Sequence, residues 1–133
     1  MKKLFQDKSR KVLIYGIGNP SRQDDAMGIL FIERLQEWAA GKGLENISFD
    51  SNYQLNVEDA LDISKTDSVI FADASMELLD SFLFREISPS ESISFSTHEM
   101  SPESVLALCE ELYGIRPEAW LLTMKGYSWE LDV

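Results

Sequence analysis

A three-layer α/β domain with a largely parallel sheet is the fold this 133-residue chain predicts, and three observations carry it. The run Val12–Ile17, and the run Ser68–Ala72 from Val69 on, are continuously apolar instead of alternating, as in strands buried on both faces. Stretches with helical apolar spacing separate these and later strand-like runs, the pattern of βα units. At this length, with 44% hydrophobic and 26% charged residues, the chain can bury one core without staples, so residues 1–133 are read as a single domain.

Taken in order, the first strand spans 12–17 and runs into Gly18-Asn19-Pro20, a turn. A helix starts near Asp24-Asp25, with Met27, Leu30, Phe31, Leu35 and Trp38 along one face and Ile29 and Ile32 widening it. Gly41 and Gly43 stop it. A second strand covers 47–50. Asn56 then caps a short helix that turns Val57, Ala60 and Leu61 inward, with Asp59 at its third position. The strand 68–72 closes at Asp73. Residues 82–87 and 92–96 read as further strands, the latter with a period of two and one polar face. Ser101-Pro102-Glu103 is a helix start, combining cap, proline and an acid near the positive dipole end. Val105, Leu108, Cys109 and Leu112 form that helix's buried face, Gly114 ends it, and 119–124 gives the last strand. Neither repeats nor a linker interrupt the series.

Charge and cysteine usage narrow the function. Acidic residues number 23 against 12 basic ones, a net charge of −11, which repels phosphate backbones and argues against a general nucleic-acid binder. Cys109, the single cysteine, can form neither an internal disulfide nor a thiolate metal cage. The N-terminal residues carry charge without an uninterrupted apolar core, and the run 12–17 is too short to span a bilayer. A cytoplasmic protein with no membrane partner is the expectation.

Chemistry in an open α/β sheet gathers beyond the carboxyl ends of the strands. Three clusters fall there: Gly16-Ile17-Gly18-Asn19-Pro20 leading to Asp24-Asp25-Ala26-Met27-Gly28, Asp73, and His98, the sole histidine. The glycine loop is neither a dinucleotide fingerprint, having Ser21 where a glycine belongs, nor a phosphate loop, lacking its lysine. Singly, each candidate has a plain structural reading: a tight turn, a helix-start acid, an Asx turn, a surface histidine. Together, two carboxylates and an imidazole from three strand-end loops make a hard-to-borderline metal site with open positions, or a carboxylate–histidine general base. No Gly-x-Ser-x-Gly elbow is present to anchor a serine hydrolase.

These residues resemble the [NiFe]-hydrogenase maturation proteases, endopeptidases that trim the C-terminus of a hydrogenase large-subunit precursor. The resemblance rests on Gly16-Ile-Gly-Asn19-Pro20 with Asp24-Asp25-Ala-Met-Gly28, the strand ending in Asp73-Ala74, and His98 followed by Ser101-Pro102 and Val105-Leu-Ala-Leu. Tyr53-Gln54-Leu55 and Val57-Glu58-Asp59-Ala60 add to it, and it extends over roughly residues 12–130. It implies a five-stranded mixed sheet between helices, of the phosphorylase/hydrolase-like kind. By motif position it makes Asp25, Asp73 and His98 the metal-binding and catalytic residues, with Gly18, Asn19 and Gln54 contacting substrate. The cofactor implied is nickel carried by the precursor, or another divalent metal at the same place, and the partner is that precursor. Asp25 stands where relatives often have Glu, one methylene longer. Relatives also continue past the last strand with a closing helix, so the resemblance implies that this chain, ending at Val133, lacks it. Two alternatives remain at this point: a peptidyl-tRNA hydrolase-like esterase, which shares the Gly-x-Gly-Asn-Pro strand end but is opposed by the charge, and a non-catalytic metal-sensing adaptor.

Overall fold

The computed structural model describes residues 9–17, 27–43, 45–52, 54–75, 82–91 and 100–125. Its strands are β1 (Val12–Ile17), β2 (Ile47–Asn52), β3 (Ser68–Ser75), β4 (Phe82–Ile87) and β5 (Glu118–Lys125). Its helices are α1 (Met27–Gly41), α2 (Asp59–Ser64) and α3 (Pro102–Tyr113). The strands form one sheet in the order β2-β1-β3-β5-β4, parallel except for β4, which runs antiparallel to β5 at the edge. The expected mixed, mostly parallel α/β sheet of five strands is therefore found. The strand read over 92–96 lies outside the described residues, and β4 supplies the antiparallel edge.

Register is set at the amino ends of the strands. The Asp67 carboxylate accepts from the Lys11 amide at 2.8 Å, and the Asp67 amide donates to the Lys11 carbonyl at 2.8 Å. The Asp67 carbonyl accepts from the Glu118 amide at 3.0 Å. Strands β1, β3 and β5 thus start level.

Alternation along the strands sorts their side chains into two cores. Leu13, Tyr15, Val69, Phe71 and Ala119 face α2 and α3, where Ala60, Ile63, Val105, Leu106, Leu108 and Cys109 meet them. Val12, Ile14, Ile47, Ile70, Ala72 and Leu122 face the other way, toward Ile32 of α1, with Leu35, Phe49, Phe84 and Trp120 packed alongside. Phe84 and Trp120 stack with ring centroids 4.9 Å apart and planes 3° from parallel.

The helix faces differ from the expectation at particular residues. In α1 the side chains expected inward at Met27, Ile29, Leu30 and Phe31 lie outside the described residues; from Ile32 on the inward stripe is Ile32, Leu35 and Ala39, while Trp38, one 100° step from Ala39, is 43% exposed. The helix read from Asn56 begins as a turn: Asp59 and Ala60 donate to the carbonyls of Asn56 and Val57, and α2 proper starts at Asp59 behind Glu58. This leaves Val57 in the turn and exposed. It also rotates Leu61 outward, so Asp59, Ala60 and Ile63 are the residues buried. In α3 the cap is as expected, the Ser101 hydroxyl accepting from the Ser104 amide at 3.0 Å with Pro102 beside it. Gly114 closes the helix at φ +67°, where a side chain would be strained. Leu112 keeps to the inward stripe but sits in the last turn, with Tyr113 and Ile115 also exposed, past the rim of the core; Leu106 is buried in its place. Strands β2, β3 and β5 also run beyond the expected 47–50, 68–72 and 119–124, so that Asp73 lies within β3.

The packing predicts a contrast. Ile70→Ala, in the doubly covered strand, lowers the unfolding free energy by about 2–5 kcal/mol, whereas Leu112→Ala costs less than about 1 kcal/mol. Urea unfolding of the two variants, with an unchanged slope against denaturant, checks both.

Candidate functional site

The order β2-β1-β3 contains a reversal. From β1 the chain crosses outward to β2, then returns to the far side of β1 to make β3. Open α/β sheets bind ligands beyond the carboxyl ends of the strands at such a reversal. Asp73 sits near the carboxyl end of β3, at that reversal. In register it lies between Ile17 of β1 and Thr123 of β5, and Ile17 pairs onward with Asn52 of β2. By strand alternation Asp73 shares the α2/α3 face with Phe71 and Val69, and it is half-buried. Ile17, the residue before Gly18 in the sequence, is the strand residue that pairs with Asp73. Asp25, His98, Gly18 and Asn19 lie outside the described residues.

A second piece of the site stands on the same face. Leu55 and Met100 form an isolated antiparallel bridge, the Met100 amide donating to the Leu55 carbonyl at 3.4 Å, and both side chains are buried in the core that contains Phe71. This bridge ties the segment carrying Gln54 to the chain two residues after His98. Gln54 itself is half-buried, and its amide nitrogen donates to Asn56 Oδ1 at 3.4 Å.

Behind the bridge is a buried carboxylate that sequence reading took for an ordinary helix-start acid. Asp59 is 8% exposed. Its Oδ2 accepts from the Tyr15 hydroxyl at 3.1 Å and from the Asn56 backbone amide at 2.7 Å. The second bond is half of a capping box, the acid three residues on reaching back to the amide at the turn's start, and the Asn56-x-x-Asp59 spacing was the available signal. Asp50 and Asp62 bring carboxylate oxygens within 4.8 Å of that of Asp59. Burial, followed by these neighbouring charges, raises the Asp59 carboxyl above the ordinary range, although the two donors pull it back. The Tyr15 phenol is raised too, first by burial and then by Asp59, so it stays a donor. Cys109 is fully buried, and desolvation raises its thiol, as expected for a core residue with no nucleophilic role.

The sign of the Asp59 effect follows from linkage. Between the ordinary carboxylate range and its raised value, Asp59 binds a proton in the folded but not the unfolded chain, so stability falls as pH rises through that window. Urea unfolding of wild type and Asp59→Asn from about pH 3.5 to 7 should show the wild type losing stability relative to the variant. A difference that stays flat with pH would mean that the carboxyl titrates normally.

No protein-family model matches the sequence, and no curated protein matches it. Solved structures do. The [NiFe] hydrogenase maturation protease HycI from Thermococcus kodakarensis is 26% identical, with a TM-score of 0.67 over 93% of this chain and 78% of its own. The E. coli hydrogenase maturating endopeptidase HybD is 18% identical, with a TM-score of 0.63 over 86% of this chain and 74% of its own. A hydrogenase 2 maturation peptidase from a Thaumarchaeota archaeon is 20% identical, with a TM-score of 0.57 over 87% and 79%. The latter two show shared fold alone. With HycI, the resemblance read from the motifs becomes a resemblance of the whole described fold to the [NiFe]-hydrogenase maturation proteases.

Proposed function

We propose that this chain is an endopeptidase of hydrogenase maturation, removing the C-terminal extension of a [NiFe]-hydrogenase large-subunit precursor after nickel insertion. The observation that carries this reading is Asp73 at the carboxyl end of the central strand, in register beside the strand end that leads into Gly18-Asn19, within a fold like that of the HycI protease.

The chemistry follows from the residue types. Asp25, Asp73 and His98 are the oxygen and nitrogen donors that meet the nickel carried by the precursor. Such ligands engage a borderline ion at vacant positions without competing for it against thiolates. Asp25 and Asp73 polarise the attacking water near the scissile peptide, and His98 serves as ligand or proton carrier. Gly18, Asn19 and Gln54 bind the precursor's chain. The same set would accept another divalent metal of similar hardness. The net charge of −11 opposes a tRNA substrate, so no observation favours the peptidyl-tRNA hydrolase reading. Among the described residues no helix is long and apolar enough to cross a membrane.

Intact-mass analysis of nickel-loaded and nickel-free precursor, each incubated with the protein, tests the proposal. Loss of one discrete C-terminal peptide from the nickel-loaded sample alone is the expected result. Equal trimming of both samples would remove the nickel requirement, and an unchanged cognate precursor would overturn the endopeptidase reading. Asp73→Ala should lower the processing rate by at least about 100-fold while leaving precursor binding measurable. An adaptor without catalysis would show binding but no cleavage in the wild type as well.

A further inference from the structure

Asp59 is neither one of the strand-end candidates nor an apolar core residue, yet it is the described acid most withdrawn from water. A buried carboxylate costs stability that an apolar side chain in the same place would not. It is held by two donors from different parts of the fold: the Tyr15 hydroxyl comes from the middle of β1, and the Asn56 amide from the turn that follows Gln54 and Leu55. The tie reaches further than this turn. Leu55 is bridged to Met100, the residue before the Ser101 cap of α3, and Leu55, Met100, Tyr15 and Phe71 share one core. One oxygen atom therefore connects β1 to the Gln54 segment, and through the bridge to the chain entering α3.

We propose that Asp59 is a positioning residue: through Tyr15 and the Asn56 amide it fixes the Gln54–Asn56 segment, and with it the Leu55–Met100 bridge, relative to β1 and β3, so that the precursor meets a preset surface. The assignment of that surface to precursor binding rests on the function proposed above. The clamp itself rests on the hydrogen bonds. Asp59 touches neither substrate nor reacting atoms, and the barrier to peptide cleavage does not depend on it. Its effect falls on how much binding energy goes into ordering the segment before the precursor can dock. Asparagine retains an oxygen that can accept from both donors, whereas alanine retains none.

Two measurements on the full chain test the clamp. The first is amide hydrogen exchange in wild type, Asp59→Ala, Asp59→Asn and Tyr15→Phe. In Asp59→Ala, exchange at Asn56 and Met100 should accelerate at least about tenfold while the β1 and β3 amides keep their protection, and Asp59→Asn should restore the wild-type pattern. Tyr15→Phe, which keeps the ring in the core and removes only the donor, should give a smaller change at the same amides. It carries the test if the alanine variant does not fold. The second is processing of the nickel-loaded precursor well below the unfolding temperature. KM should rise about fivefold or more with kcat within about twofold, and Asp59→Asn should rescue it.

Acceleration spread evenly over all protected amides, with KM unchanged, would reduce Asp59 to a stability residue and overturn the proposal. If the wild type processes no precursor, the endopeptidase reading fails. The exchange pattern then still decides the clamp: selective loosening at Asn56 and Met100 upholds it, and uniform loosening removes it.

Discussion

Asp67 is the point from which the sheet is ruled. With its carboxylate, amide and carbonyl it holds Lys11 on one side and Glu118 on the other, so three parallel strands begin on one line. Because strands advance by a fixed rise per residue, a common start gives a common level at the far end, where Ile17, Asp73 and Thr123 stand side by side. A slip of one residue would turn Asp73 to the α1 face and bury it among Ile70, Ala72 and Leu122. The position of the candidate catalytic acid is thus decided at the opposite end of the molecule.

What the sequence made legible was whatever depended on short-range pattern. The doubly buried runs of β1 and β3 were visible because a strand covered on both faces has no reason to alternate. The Ser101-Pro102 start and the Gly114 stop of α3 were visible because caps are local chemistry. Leu112 and Val57 were misplaced because apolar spacing says which residues can face inward but not how far the core extends beneath them, and the last turn of α3 and the turn before α2 lie beyond its rim. Leu61 and Trp38 were misplaced by rotation: α2 starts only at Asp59, and in α1 the next residue, Ala39, takes the inward place.

Asp73 was nominated as a candidate from its place at the end of a buried apolar run, and its neighbours across the sheet, Ile17 and Thr123, became known only from the strand order. The burial of Asp59 was hidden for a different reason. An acid at a helix start is ordinarily solvated, and nothing near it in sequence announces that a tyrosine on β1 will reach its carboxylate. The strand-end motif and the resemblance nominated the candidate site, whereas the buried carboxylate behind the Leu55–Met100 bridge required tertiary structure.

The strand order also bears on how the protein is made. β5 lies between β3 and β4, although it follows both in the chain. While the polypeptide emerges from its N-terminus, β3 can pair with β1, but its other edge waits for β5, and among the described residues β4 pairs with β5 alone. The apolar run Val69-Ile70-Phe71-Ala72 therefore presents an open row of backbone donors and acceptors until residue 125 has been synthesised. Nearly all pairings in this sheet join residues far apart in sequence, so closure is slow as well as late. A nascent chain of this topology carries an unpaired apolar edge from the completion of β3 to that of β5, and a molecular chaperone that shields that edge would act before the sheet is closed.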